Sequence, residues 1–330
     1  MKAVTYDRFG PAAEVLTLDT LDDPQPAPGE VLVALAYSGV NPSDVKARAG
    51  ARPGVTRPPF PRIVPHSDGA GEIVAVGDGV DAGRVGERVW IWNGQWKRAF
   101  GTAAGLIALP AAQAVALPPG TSLQTGAVLG IPGQTACHTV FSGGPVEDAT
   151  VLIHGGAGTV GYLAVQLARW GGARVIATAR PTAFDRVREA GADAVLDYAA
   201  PDLAERVLAA NDGRPVDRIV DVEFGRNAAV NAAVIAECGR INAYGSAAVM
   251  EPVLPFYPLM FKAVTLEMAL IYLLTPEQRE YTCNRLRAAL EQGALDCPVQ
   301  QVLPLADCAR AHDIVAQGGR RGAVLLDTQS

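Results

Sequence analysis

The stretch from Thr150 to Arg180, TVLIHGGAGTVGYLAVQLARWGGARVIATAR, leaves this chain few folds to choose from. Val151-Leu152-Ile153 has the length and apolar character of a buried parallel strand. Gly155-Gly156-Ala157-Gly158-Thr159-Val160-Gly161 follows at once. Beyond it, Val160, Leu163, Ala164, Leu167 and Ala168 fall at helical spacing along one face. Gly171-Gly172 stops that helix, and Arg174 to Ala179 reads as a second strand. The unit is β-α-β with glycines at its first turn. That context lifts a bare GxGxxG pattern (Gly156, Gly158, Gly161) from a weak signal to a strong one. The physical reason is close approach. A pyrophosphate can reach the free N–H groups and the positive end of a helix only where no side chain stands in the way.

At 330 residues the chain is too long for one ordinary domain and comfortable for two. Hydrophobic residues make up 49%, enough for sizeable cores. A net charge of −6 without a run of like charges argues against nucleic acid and anionic membranes as partners. No apolar stretch reaches membrane-spanning length, and Met1-Lys2-Ala3-Val4 enters a strand-like pattern without a signal-peptide layout. The five cysteines (Cys137, Cys238, Cys283, Cys297, Cys308) are scattered and form no CxxC pair. Free thiols in a reducing cytoplasm fit this usage; a disulfide framework or a clustered cysteine zinc site does not.

Residues 1–117 read as mostly β. Val31 to Leu35, Gly71 to Val76 and Arg88 to Trp90 are short strand candidates between Pro- and Gly-rich turns such as Pro24 to Gly29. A partly open barrel fits this pattern. Around Leu117-Pro118-Pro119-Gly120 the rhythm changes to alternating strands and helices. Strands are expected near 151–154, 174–179, 194–197, 217–222 and 239–244, and helices over 160–170, 182–190, 201–210 and 227–237. This spacing predicts a parallel sheet with helices on both faces. After residue 262 the rhythm breaks. Thr275-Pro276-Glu277-Gln278 is a helix start with Thr as cap, Pro first and Gln third. Val299 to Leu303 and Ala323 to Leu326 are late strands able to rejoin the first domain. The expected division is 1–117 with 262–330, and 118–261.

These motifs together resemble a zinc-free medium-chain dehydrogenase/reductase of the zeta-crystallin-type quinone oxidoreductase family. Ser38-Gly39-Val40-Asn41-Pro42-Ser43-Asp44 resembles its GVNP segment, and Pro65 to Gly71 stands where it carries G-S/T-D/E-x-x-G. Gly130-Ile131-Pro132-Gly133-Gln134-Thr135-Ala136 resembles the helix that faces the nicotinamide. His154 to Gly161 resembles its HGAxGGVG turn, with Thr159 in place of one glycine. The resemblance implies an α/β architecture: a GroES-like, partly open β-barrel catalytic domain plus a Rossmann domain with a doubly wound parallel sheet. It also implies a ligand in the cleft between the two. Zinc-dependent relatives place a Cys where Asn41 stands and a His–Glu pair where Ser67-Asp68 stands. One imidazole and one carboxylate are too few for a catalytic zinc, which takes three protein ligands. His66 is expected to be a hydrogen-bonded wall residue, and no metal is expected.

Without a metal, the chemistry falls to a reduced nicotinamide, giving hydride or single electrons to a quinone. A conjugated enone, 2-alkenal or enoyl substrate is the alternative within enzymes, and a non-catalytic dinucleotide-binding protein the alternative outside them. The protein has to position two rings and hold the oxygen that receives charge. Asn41 is the first candidate, for the cofactor ribose or the substrate oxygen, although Asn-Pro is also a turn signal. By resemblance, Thr135 holds the nicotinamide, Tyr244-Gly245-Ser246 lies along it, and Ile271-Tyr272 closes the pocket, Tyr272 positioning substrate. Gly155 through Gly161 holds the pyrophosphate. There are departures. A family tyrosine near Arg52 is missing, as is an aromatic at Gly133, and Gly105-Leu106 replaces the usual Glu-Tyr. Trp90, Trp92 and Trp96 are open to two readings, stacking on a flat substrate or ordinary packing. Arg180 stands at the second strand's tip with no acidic residue beside it, which points to NADPH rather than NADH. Tyr198 matches a family tyrosine near the same phosphate, and Arg320 or Arg321 are further candidates. A homo-oligomer joined through sheet edges is expected.

Overall fold

In the computed structural model, which describes residues 1–51 and 54–330, the chain divides into two units. Met1–Ile131 with Cys297–Ser330 form one, and Pro132–Asp296 the other. Both junctions lie later in the chain than the sequence pattern places them. At the first, helix Leu123–Val128 packs on the barrel: a Cβ at Gly39 would sit 2.4 Å from the carbonyl oxygen of Ala127. At the second, Thr265–Met268 does not leave the parallel sheet but adds a sixth strand to it, beside Ile235–Ala243. Helix Pro276–Glu291 then stays with the same unit, its Arg279 bonded to Gln134. Its start is as expected: Thr275 Oγ1 accepts from Gln278 N at 3.2 Å, and Gln278 Oε1 accepts from Thr275 N at 2.9 Å.

The first unit is a barrel-like sheet. Glu30–Val40 is its long central strand, antiparallel to Asp68–Val76, to Leu106–Pro110 and to the late strand Ala323–Asp327. Val299–Pro304 extends the sheet beyond Ala323–Asp327, and Arg88–Ile91 and Ala114–Ala116 extend it on the other side. Period-two alternation sends Val31, Val33 and Leu35 inward, against Ile73, Val89, Ile107 and Leu109. Truncating such a side chain to Ala costs about 2–5 kcal/mol. The two late strands therefore do return to the first unit.

The second unit carries six parallel strands. Their spatial order is Ala194–Asp197, Arg174–Ala179, Thr150–Ile153, Val216–Asp221, Ile235–Ala243 and Thr265–Met268. Numbered along the chain, that is 3-2-1-4-5-6, the doubly wound order. The central strands are buried on both faces, which is why they read as continuous apolar runs rather than alternation. Every strand predicted here forms. The helix expected over 182–190 is split into a 3₁₀ turn, Pro181–Ala183, and a short α-helix, Phe184–Glu189, because Pro181 sets the first turn. No helix among the described residues is long and apolar enough to cross a membrane.

Candidate cofactor and active site

Because all strands of the second unit run parallel, their carboxyl ends share one edge. That edge gathers five segments far apart in sequence. The Gly155–Gly161 turn follows the first strand, Arg180 the second and Tyr198 the third. Tyr244-Gly245-Ser246 follows the fifth, and Ile271-Tyr272 the sixth. The opposite edge opens into a cleft of about 540 Å³ lined by Asp148, Arg174, Arg214 and Asp217. It has mixed charge.

Within the turn the glycines have different causes. Gly155 has φ +71°, where a side chain is strained, and a Cβ there would lie 2.8 Å from Val222 Cγ1. A Cβ on Gly161 would sit 2.2 Å from Gly155 O, so the helix cannot approach its own turn with anything larger. Gly158 is different. Its nearest neighbour would be Gly155 O at 3.4 Å, an ordinary contact. The protein's own packing does not require glycine at Gly158. Gly158 is also the N-cap of helix Thr159–Trp170, without a side-chain cap. Its first N–H groups thus face the turn with the positive end of the dipole. Thr159 Oγ1 is buried there with no hydrogen-bond partner among the described residues, and Ala157 and Val160 complete the cradle. The residues fit a dinucleotide pyrophosphate.

Below the turn, a polar chain sets its height. Thr178 Oγ1 accepts from Gly155 N at 3.2 Å and lies 3.2 Å from His154 Nδ1. His154 Nε2 lies 2.9 Å from Asn231 Oδ1, an acceptor, so Nε2 carries the proton and Nδ1 accepts from Thr178. Asn231 Nδ2 in turn donates to Asp221 Oδ2 at 2.7 Å, while Asp221 Oδ1 accepts from Asn227 at 2.9 Å. Sequence reasoning missed Thr178, Asn227, Asn231 and Asp221, three of them buried polar residues.

Arg180 ends its strand with an exposed side chain. Tyr198 N donates to Ala179 O at 3.3 Å, which sets Tyr198, 47% exposed, on the neighbouring strand end. Asp185 is committed to Arg188 at 2.8 Å inside the next helix, leaving the tip without a carboxylate. Arg320 and Arg321 belong to the first unit; Arg321 N donates to Gln300 there.

Thr135 is buried on helix Gln134–Phe141, which follows a π-helical turn, Leu129–Gly133, containing Pro132. Arg279 ties that helix to the turn Ile271–Leu273, donating to Gln134 Oε1 and to Ile271 O. Burial lowers the Arg279 pKa to about 10. Thr135 and the Ile271-Tyr272 pair are thus held to one another by a buried guanidinium that no motif announced. Ser246 behaves otherwise. Its hydroxyl accepts from Gly225 N at 2.9 Å and donates to Val249 O at 2.5 Å, so both capacities serve the turn, whose peptide beside Tyr244 and Gly245 stays partly open.

In the first unit, Asn41 caps helix Pro42–Arg48. Its backbone N donates to Asp44 Oδ2 at 2.8 Å, and its Nδ2 donates to Asp68 Oδ2 at 2.7 Å. Both side chains are buried. Burial first, and then the Asp44 carboxylate, push the Asp68 pKa well above the usual carboxylate range, against the Asn41 hydrogen bond. No thiolate or imidazole stands at Asn41 or Ser67, and Asn41 Nδ2 is committed to Asp68 Oδ2. That donor set does not fit a catalytic zinc. His66 is buried and bonded to Ser38 and His312. Trp90 is only 2% exposed inside the barrel, and Trp92 donates to Ala112 O at 3.1 Å; packing claims Trp90, so it is not a stacking platform. Arg52, near the missing family tyrosine, lies outside the described residues.

Two family models match: an alcohol dehydrogenase GroES-like domain over residues 27–119 and a zinc-binding dehydrogenase domain over 159–288. The quinone oxidoreductase of Rattus norvegicus is 29% identical, covering 99% of this chain and 97% of the relative. A chloroplastic quinone-oxidoreductase homolog of Spinacia oleracea is 33% identical over 67% of each chain. The crystal structure of Escherichia coli quinone oxidoreductase complexed with NADPH covers 99% of this chain and 100% of its own, at 26% identity and a TM-score of 0.84. With its glycine turn, its Asn41 segment and the doubly wound 3-2-1-4-5-6 strand order all in place, this chain belongs to the quinone oxidoreductase family of medium-chain dehydrogenases/reductases.

Proposed function

We propose that this protein is an NADPH-dependent oxidoreductase that reduces quinones without a metal. The observation that supports the reading is the contrast inside the glycine turn: Gly161 is demanded by packing, whereas Gly158 has room for a methyl in the fold itself, room that a bound pyrophosphate would take. The bound nicotinamide supplies the hydride, or single electrons. The chain's residues do the rest. The turn and the open helix start hold the pyrophosphate, and Arg180 with Tyr198 holds the 2′-phosphate. Thr135, steadied through Gln134 and Arg279, keeps the nicotinamide end in place, with Tyr244, Gly245, Ile271 and Tyr272 as neighbours. Asn41 positions substrate or ribose, its amide oriented by Asp68. A quinone suits this inventory because its oxygen takes up the arriving charge with little acid catalysis. The enone or enoyl alternative uses the same parts.

Oxidation of NADPH with a benzoquinone, set against a medium-chain enone, tests the reading after extensive chelation. Rapid turnover of the quinone with chelator present supports it. Loss of turnover on chelation while the chain stays folded, or oxidation only with the enone, overturns it.

We further propose a homodimer. Thr265–Met268 is an edge strand, and the surface around it is apolar: Met250 is 77%, Val253 91%, Phe261 77% and Met268 65% exposed. Tyr257 and Phe261 stack at 6.0 Å in the same region. Exposure of this size on a folded chain calls for a partner, and a second copy can pair strand to strand. The five scattered cysteines, without a CxxC pair, favour a reducing compartment, the cytoplasm.

A further inference from the structure

Inside the first unit, apart from the residues assigned above to substrate and cofactor, three metal-ligating side chains converge. Cys308 and His312 lie four residues apart on helix Cys308–Gln317 and so share one face. His66 comes from the segment leading into strand Asp68–Val76. His66 Nε2 and His312 Nε2 are 2.9 Å apart, and Cys308 Sγ is 3.9 Å from His66 Nε2. All three donor atoms lie within 4.8 Å of one another, and none of the three residues is more than 1% exposed.

Three further features bear on this cluster. First, His66 has φ 77°, a left-handed conformation that glycine adopts freely and a branched ring does not. Second, His66 Nδ1 lies 2.9 Å from Ser38 Oγ, which lies 2.9 Å from Thr102 Oγ1, which donates to Asp68 O at 2.5 Å. That chain runs out at a carbonyl, so each hydroxyl passes its proton onward and Ser38 accepts from His66 Nδ1–H. The lone pair of His66 then sits on Nε2, aimed at the cluster, as in a metal-bound histidine with an outer partner. Third, the side chains satisfy one another poorly. Only one proton fits between two facing Nε2 atoms, and His312 Nδ1 is buried with no partner among the described residues. Arg48 faces Cys308 and His312, and Asp44 and Asp313 lie close enough to offset it.

We propose that His66, Cys308 and His312 form a buried structural site for one thiophilic d10 cation, Zn²⁺ or Cu⁺. Two imidazoles and a thiolate are the donor set such ions select. On binding, the Cys308 thiol releases its proton to solvent and its sulfur bonds the ion. Zinc bonds of about 2.0–2.1 Å to nitrogen and about 2.3 Å to sulfur hold tetrahedral neighbours roughly 3.3–3.6 Å apart. The two ring nitrogens need to part, and the sulfur to close on His66, by a few tenths of an ångström, and the Cys308–His312 separation, within 4.8 Å, has to shorten into the same range. The bound ion clamps helix Cys308–Gln317 to a segment 246 residues away in sequence. It has no part in the reduction of substrate.

The test uses the full chain, purified without a metal-binding tag and dialysed against Zn²⁺ or, anaerobically with reductant, Cu⁺. The wild type should retain one equivalent of one of these ions, and that arm names it. With Co²⁺ as probe, a thiolate-to-metal charge-transfer band should appear, and vanish in Cys308→Ser. His66→Gly relieves the positive φ and should therefore fold. It should bind the ion more than about a hundredfold more weakly, since loss even of an outer partner costs about 10–100-fold. Folded wild type that retains neither ion, or variants that retain it equally well, would overturn the proposal.

Discussion

Asn41 donates its side-chain amide to Asp68 at 2.7 Å in a place where both are buried, and the carboxyl that receives it is biased toward its neutral form. Burial and Asp44 raise the Asp68 pKa in the folded chain above the ordinary value near 3.9. Between those two values the folded chain holds a proton that the unfolded chain has released. The contribution of Asp68 is thus fully present below about pH 3.9 and is lost as pH rises through the raised value. Urea midpoints measured against pH should fall over that interval in the wild type and flatten in Asp68→Asn. Asp68→Ala leaves the buried Asn41 amide unpaired and should cost about 1–3 kcal/mol at any pH. A wild-type midpoint that climbs through the same interval would contradict the assignment.

The two glycines of the turn should separate stability from binding. Gly161→Ala places a methyl 2.2 Å from Gly155 O and should lower the melting temperature as well as NADPH affinity. Gly158→Ala meets nothing closer than 3.4 Å and should leave the melting temperature near wild type while NADPH binding falls at least tenfold. Calorimetric melting and fluorescence titration with NADPH, run on both variants, decide the matter. Equal losses of stability would mean that packing requires both glycines.

Arg180 should set the choice of cofactor. A charge-assisted hydrogen bond contributes about 1.5–3 kcal/mol, so Arg180→Ala should weaken NADPH roughly tenfold to a hundredfold and leave NADH nearly unchanged. Equal use of the two cofactors by the wild type, or parallel weakening of both in the variant, would remove Arg180 from this role.

Phe261→Glu together with Met268→Lys puts opposite charges on the apolar surface beside the edge strand. Light scattering at micromolar concentration should give twice the 34.4 kDa chain mass for the wild type and the single-chain mass for the double variant. A wild type already at single-chain mass would contradict the homodimer.

Local chemistry made much of this legible in advance. The Thr150–Arg180 unit could be read because strand, glycine turn and helix follow one another without interruption, and the turn's geometry is a property of adjacent backbone. Thr275 to Gln278 could be read for the same reason, since a capping box closes within four residues. Asn41 and Arg180 were legible as positions, at a helix start and a strand end. What could not be read was anything whose partner lies far away. Arg279 holds Gln134 across 145 residues, His66 meets His312 across 246, and Asn41 finds Asp68 on another strand. Nor did the broken rhythm after residue 262 show that Thr265–Met268 continues the parallel sheet, because a four-residue edge strand is defined by its hydrogen bonds to a neighbour. Sequence periodicity reports which face of an element is apolar; it carries no record of which element that face or edge will meet. The tertiary fold made those pairings, by bringing buried polar groups within bonding distance of the only partners able to satisfy them.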